Sequence, residues 1–207
     1  MKTLLRVVSR VGKAGAPRSF GLGHVFMALY YIDENVRMSR ENLGIRLGLG
    51  GGAVKSLVSK LRESSLVRTL KGGNILSDEG LKIVRGLRSV IPAISEISVR
   101  NLSTGKTNVA AIIRGVDRKS LDPIAIRDDV IRAGGTGATT MFFDGNSIKV
   151  PSVYDDLATI SSIDVKTLTE LKLRKDDIVV IAGGTNQQVA SVACATAITA
   201  FLSRQPY

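Results

Sequence analysis

Residues with reactive side chains are few in this chain. His24 is its one histidine and Cys194 its one cysteine. No intrachain disulfide can form, and no zinc site can be built from Cys and His. A His–carboxylate–nucleophile set would have to recruit His24, and at a helix start that residue reads as a helix-terminal surface group. The adjacent pairs Asp128-Asp129, Asp155-Asp156 and Asp176-Asp177 suit turns and solvated helix faces better than an acid/base dyad. Two glycine-rich turns remain, Gly134-Gly135-Thr136-Gly137 and Gly183-Gly184-Thr185-Asn186. The second joins an apolar run to a helix start, where backbone N–H groups can hold an anion. It lacks both the lysine of a phosphate-binding loop and the GxGxxG spacing. Gly134, Gly135, Thr136, Gly183, Gly184, Thr185 and Asn186 are thus candidates for a small anionic effector, with a structural turn as the competing reading. No catalytic residue, metal or cofactor is expected, and the chain reads as a non-enzyme.

A different chemistry is concentrated between Ser39 and Asn74. Val54, Leu57, Val58 and Leu61 recur at i, i+3, i+4 and i+7, one apolar stripe of a helix. Lys55, Ser56, Ser59, Lys60 and Arg62 fall on its other faces. A short helix with a basic, small-polar outer face, set after a helix and tight turn, suits a DNA major groove. Arg40 on the preceding helix, and Arg68 and Lys71 on a following hairpin, add charge for phosphate contacts. The helix holds a single arginine and no Asn or Gln, so bidentate base readout is sparse and DNA shape must carry part of any specificity.

The charge distribution agrees. Of the formal net charge of +11, Met1 to Ser95 holds 16 Lys/Arg against 6 Asp/Glu, and Glu96 to Tyr207 holds 13 against 12. A basic half joined to a near-neutral half implies a polyanion-binding module and a module with another task. Reduced cysteine usage and the lack of a continuous apolar leader suit the cytoplasm. The uncharged run from Ile178 to Leu202 is interrupted by polar residues and reads as a buried strand and helix, so no membrane span is expected.

Stepping along the chain, Leu4 to Val11 reads as a short helix, and Lys13 and Arg18 lie in a basic loop. A helix follows from His24, with Val25, Leu29 and Ile32 inward. Ser39 is an expected N-cap, and Leu43 and Leu47 face inward. The glycines of Gly48-Leu49-Gly50-Gly51-Gly52 force a turn before a helix from about Ala53 to Ser64. Leu66 to Leu70 is strand-like, Lys71-Gly72-Gly73-Asn74 a tight turn returning through Ile75 and Leu76, and Ser77 the cap of a helix to about Ser89. Helix, helix, helix, basic-tipped hairpin and helix is the order of a winged helix-turn-helix. Residues 24 to 88 resemble winged-helix domains of prokaryotic transcriptional regulators. The resemblance rests on SRENLGIRLGLGGGAVKSLVSKLRESSLV, RTLKGGNILS and DEGLKIVRGLR. The pairing with the C-terminal half resembles an archaeal winged-helix family whose second domain has no assigned function.

Residues 1–90 are assigned to the first domain (core 24–88), 91–96 to a linker at Pro92, and 97–207 to a second domain. There, Asn108 to Val116 reads as a strand. Leu121 to Ala133 reads as a helix capped by Asp122, with Ile124, Ile126 and Ile131 toward the core. Thr139 to Phe143 and Ser147 to Val150 flank the turn Asp144-Gly145-Asn146. Asp164 is the expected cap of a helix to Leu171, and Thr185 and Gln188 form a capping box for the last helix. Cys194 is a small core residue. The expected class is α+β, with a two-layer α/β sandwich on an antiparallel sheet, ferredoxin-like or GAD/DCoH-like. Taken together, the expectation is a cytoplasmic, DNA-binding transcriptional regulator acting on double-stranded DNA as a homodimer, whose second domain dimerises or senses a ligand. The alternatives are a non-enzymatic protein–protein adaptor and an RNA-associated factor.

Overall fold

Why the chain turns where it does is set largely by caps and glycines, and the computed structural model, which describes residues 20–205, shows how. The helix expected at Leu4 to Val11, with Lys13 and Arg18, lies outside the described residues. The chain divides into two compact units, one ending at Arg88 and the other beginning at Ser89. It is a mixed α+β protein.

In the first unit, α1 (Leu22–Asn35) buries Val25, Phe26, Leu29 and Ile32 completely. Phe26 and Tyr30 stack at 4.6 Å between ring centroids. Helix α2 (Arg40–Leu47) opens where Ser39 Oγ accepts from the Asn42 N–H at 3.1 Å. It stops at Gly48, whose φ of 66° is the left-handed conformation that glycine adopts without strain. Helix α3 (Gly51–Glu63) starts two residues earlier than expected, so Gly51 and Gly52 belong to the helix and Gly50 is its N-cap. The stripe Val54, Leu57, Val58 and Leu61 is buried, at 0–4% exposure. The turn between α2 and α3 is tight: a Cβ on Gly44 would lie 3.0 Å from the Leu49 carbonyl oxygen.

Strands β1 (Val67–Leu70) and β2 (Gly73–Leu76) form an antiparallel hairpin. Asn74 is not a turn residue. It is buried at 1% exposure, its backbone exchanges hydrogen bonds with Met38, its amide donates to the Met38 carbonyl, and it accepts from Thr69 Oγ1. The reason is that Met38 needs a strand partner, and an Asn can satisfy its own side chain on the same carbonyl. Ser77 Oγ caps α4 (Asp78–Val90) through the Gly80 N–H. Arg88 on α4 returns to α1, 2.7 Å from Asp33 and 4.4 Å above the Tyr30 ring.

The second unit is built on a five-stranded antiparallel sheet whose strands lie in the spatial order 94–97, 107–113, 178–184, 137–143 and 148–149. Its strands are β3 (Ile94–Ile97), β4 (Thr107–Ile113), β5 (Gly137–Phe143), β6 (Ile148–Lys149) and β7 (Ile178–Gly184). The last half of the stretch expected as a linker, 94–96, belongs to the edge strand β3. Helix α5 (Pro123–Arg132) connects β4 to β5, and β7 pairs antiparallel between those two strands. This is a split β-α-β unit. The hairpin partner β6 lies at the outer edge rather than between β4 and β5, which is not the ferredoxin-like order.

Two layers do not describe this unit. Helices α5 and α7 (Gln187–Arg204) pack on one face of the sheet. On the other, Val179 and Ile181 share a cluster with Leu157 and Leu168, the latter on α6 (Ser162–Thr169). All seven residues of β7 are buried, as its uninterrupted apolar run requires for a strand covered on both sides.

Several local expectations change for identifiable reasons. Asp122 caps α5 as expected, through the Ala125 N–H. The inner face of that helix, however, is Ile126, Asp129 and Val130, while Ile124 and Ile131 are 72% and 44% exposed. Ser161, not Asp164, caps α6, because the buried Asp164 carboxylate accepts the Arg100 and Asn101 N–H groups instead. Asn186, not Thr185, caps α7, since β7 extends through Gly184 and leaves one residue fewer for the turn. Cys194 is fully buried, and burial pushes its thiol up to about 12. No described helix is long and apolar enough to cross a membrane.

Candidate nucleic-acid interface

With the apolar stripe of α3 turned inward, Lys55, Ser56, Ser59 and Arg62 are left exposed along its outer side. Arg40, at the start of α2, lines the same surface groove as Lys55, together with Gly44, Ile45, Gly48, Leu49 and Gly51. The sequence separates these two cations by fifteen positions, and the α2–α3 turn brings them to one depression. Not every candidate is equally available. Ser59 Oγ donates to Glu63 Oε1 at 3.0 Å, and the Lys60 ammonium sits 5.7 Å from the centre of the Phe20 ring.

Arg68 and Lys71 are exposed on the hairpin, at whose tip Gly72 has a φ of 92°. Arg37 was not singled out in the sequence. Its guanidinium donates to the Lys71 carbonyl at 3.1 Å and lines a second depression with Arg68, Val36 and Ile75. The Met38–Asn74 pairing, a contact across 36 residues, brings Arg37 beside the hairpin, so local pattern gave no signal for it. Val36, before it, is 78% exposed with a φ of 60°, an unusual conformation for a β-branched residue.

The glycines before and within α3 show a further property. None of Gly50, Gly51 and Gly52 has a positive φ, and a Cβ on each would meet nothing within 4 Å. Neither backbone conformation nor internal packing therefore requires glycine at these three positions. Gly80 is the opposite case: a Cβ there would run into the Leu66 carbonyl oxygen, so α4 passes the residue before β1 only without a side chain at this position.

His24 lies at the start of α1, where its Nδ1 accepts the Gly21 N–H at 3.1 Å, and burial lowers its pKa from the usual 6.5. It serves the helix end. Burial likewise pushes the Tyr30 hydroxyl well above its ordinary value.

In the second unit the two glycine-rich segments do meet at one end of the sheet. The Thr136 N–H donates to the Gly183 carbonyl, and Thr136 Oγ1 donates to the Thr104 carbonyl. A Cβ on Gly183 would lie 2.5 Å from the Thr104 carbonyl carbon, and one on Gly135 2.9 Å from the Gly183 oxygen. Backbone already fills the space those glycines free. Gly183 and Gly184 are strand residues paired with Asn108 and Thr107, not a loop. Gly134, Thr136, Thr185 and Asn186 stay exposed. The turn from Ser103 to Asn108, which the sequence reading missed, is the third member of this assembly: Asn108 accepts from the Thr104 N–H and donates to Ser103 Oγ and the Gly105 carbonyl.

The paired aspartates divide their labour. Asp177, fully buried, takes a bidentate pair from Arg114 at 2.8 and 2.6 Å, and this hydrogen bonding raises the guanidinium pKa further. Asp176 is exposed. Asp129 is buried between Arg132 and Arg204, whereas Asp128 is half-buried. Asp144, on the β5–β6 turn, is held well below the usual carboxylate range by the Ser147 and Asn146 N–H groups and by Lys149. These carboxylates brace turns and helices. Among the described residues, no group of three or more His, Cys, Asp or Glu could hold a metal.

Comparison with known proteins adds a domain and a fold. No curated protein matches the sequence. A solved structure of a hypothetical protein from Pyrococcus horikoshii OT3 superposes with a TM-score of 0.73 at 20% identity, covering 89% of this chain and 93% of that one. At that identity the likeness is one of fold. Residues 104–201, which lie within the second unit, match a family described as a domain of unknown function, DUF4443.

Proposed function

We propose that the protein is a DNA-binding transcriptional regulator, its first unit a winged helix that docks on duplex DNA and its second unit serving regulation or dimerisation. The observation that carries this reading is the division of α3 into a buried apolar stripe and an exposed side bearing Lys55, Ser56, Ser59 and Arg62, beside a hairpin bearing Arg68 and Lys71. A 13-residue helix is about 20 Å long, enough to lie in the major groove of B-form DNA. The deep, narrow groove of A-form RNA would not admit it. On this reading the exposed cations Arg40, Lys55, Lys71 and Arg37 meet phosphates. The reading is of a non-enzymatic, intracellular protein that gains affinity by binding as a homodimer to half-sites about 34 Å apart.

Binding of the full chain to a mixed-sequence duplex, measured by fluorescence anisotropy across salt concentrations, tests it. Each phosphate contact contributes about −0.9 to the slope of log affinity against log salt. Arg40→Glu, Lys55→Glu and Lys71→Glu should each weaken binding and flatten that slope. Absence of duplex binding by the parent chain even at low salt would overturn the proposal.

A further inference from the structure

Helix α5 turns its apolar residues both ways. Its inner side holds Ile126 and Val130, fully buried, and Asp129, clamped by Arg132 and Arg204. Ile124 and Ile131 stand on the opposite side, 72% and 44% exposed. At about 100° per residue the two differ by only about 20° around the helix, so they mark one line along the middle of its outer face. Arg127 flanks that line on one side and Asp128 on the other. Neighbours in sequence do not face each other on a helix. Among the described residues, neither side chain forms a hydrogen bond or ion pair, while the next residue, Asp129, holds two arginines.

We infer that this face of α5 is a docking surface for a second copy of the same chain, with the two α5 helices side by side and parallel. The charges select both the occupant and the direction. A two-fold axis running along the helices sets each flank against the opposite flank of its mate. Arg127 of each copy then meets Asp128 of the other, twice, while Ile124 meets Ile124 and Ile131 meets Ile131. A two-fold axis perpendicular to the helices would instead place like flanks together, Arg127 against Arg127 and Asp128 against Asp128, which is repulsive. The surface is small. A 10-residue helix is about 15 Å long, too short to bury the roughly 800 Å² per partner of a standard stable interface. The dimer is therefore weak in free solution and is reinforced when two copies share one duplex. The inference names the surface for the dimer in the proposed function but is read without DNA, so either can fail alone.

Sedimentation equilibrium of the full chain, from micromolar to several hundred micromolar, should show a reversible monomer–dimer equilibrium. Ile124→Lys combined with Ile131→Lys should abolish it with an unchanged melting temperature, since both positions are exposed. Arg127→Asp or Asp128→Arg alone should weaken association roughly tenfold or more, and the two together should restore it. Oxidation of Ile124→Cys should cross-link that single variant to itself, with the fully buried Cys194 silent. A chain monomeric throughout, a dimer indifferent to the two lysines, or cross-linking only between Ile124→Cys and Ile131→Cys variants would overturn the inference.

Discussion

Removing one side of the Arg114–Asp177 pair should not cost the same as removing the other. Asp177 has no exposure, whereas the Arg114 side chain retains 24%. Arg114→Ala would strand a buried carboxylate whose remaining partner is the Arg174 N–H, and loss of about 3–5 kcal/mol is expected. Asp177→Asn keeps an acceptor for that N–H and leaves a guanidinium that can turn to water, so chemical denaturation should show a smaller loss. His24 supplies a second test at this scale. Its folded pKa lies below 6.5 because burial disfavours the charged ring, so unfolded chains take up the proton first as pH falls. Stability should be flat above about 6.5, decline as pH drops toward the lowered folded value, and level off below it. His24→Gln should flatten that decline in melting temperature against pH. No other side chain here has an ordinary pKa in that interval.

At the scale of elements, α3 and α4 use glycine for opposed reasons. Gly80→Ala forces a methyl onto the Leu66 carbonyl and should destabilise by about 1–3 kcal/mol or more. Gly51→Ala and Gly52→Ala meet open space in a helical conformation. Each should stabilise the chain by about 0.4–1 kcal/mol by restricting the unfolded backbone. If duplex DNA comes close to the start of α3, the same two changes should weaken binding several-fold. A rise in melting temperature with a fall in affinity would separate a docking role from a folding role, and unchanged affinity would remove these glycines from the interface.

For the molecule as a whole, the proposed function assigns phosphate attraction to the basic first half and self-association to the near-neutral second half. A duplex long enough for two copies should bind more tightly per site than one that admits a single copy. Ile124→Lys with Ile131→Lys should remove that advantage and leave single-copy binding intact, measurable by titrating duplexes of increasing length.

Most of the first unit follows from short stretches of sequence, because its signals are local. The stripe Val54, Leu57, Val58 and Leu61 names a buried face through helical period alone, and Ser39 and Ser77 name caps through hydroxyls within reach of N–H groups a few residues on. The exposed cations of α3 followed as the complement of that stripe. In the second unit the periodicity of α5 was ambiguous: Ile124, Ile126 and Ile131 are equally apolar, and which of them is covered depends on where the sheet and α7 lie. The sheet order, the burial of β7 on both faces and the edge strand at 94–97 depend on pairings across tens of residues, which composition and spacing do not encode. So does the placement of Arg37 beside Lys71, and of Thr104 against Gly183. Hydrophobic period and capping chemistry are properties of a few consecutive residues and survive in the sequence. Which face meets which neighbour is decided when the chain closes on itself, and there the tertiary structure alone chose.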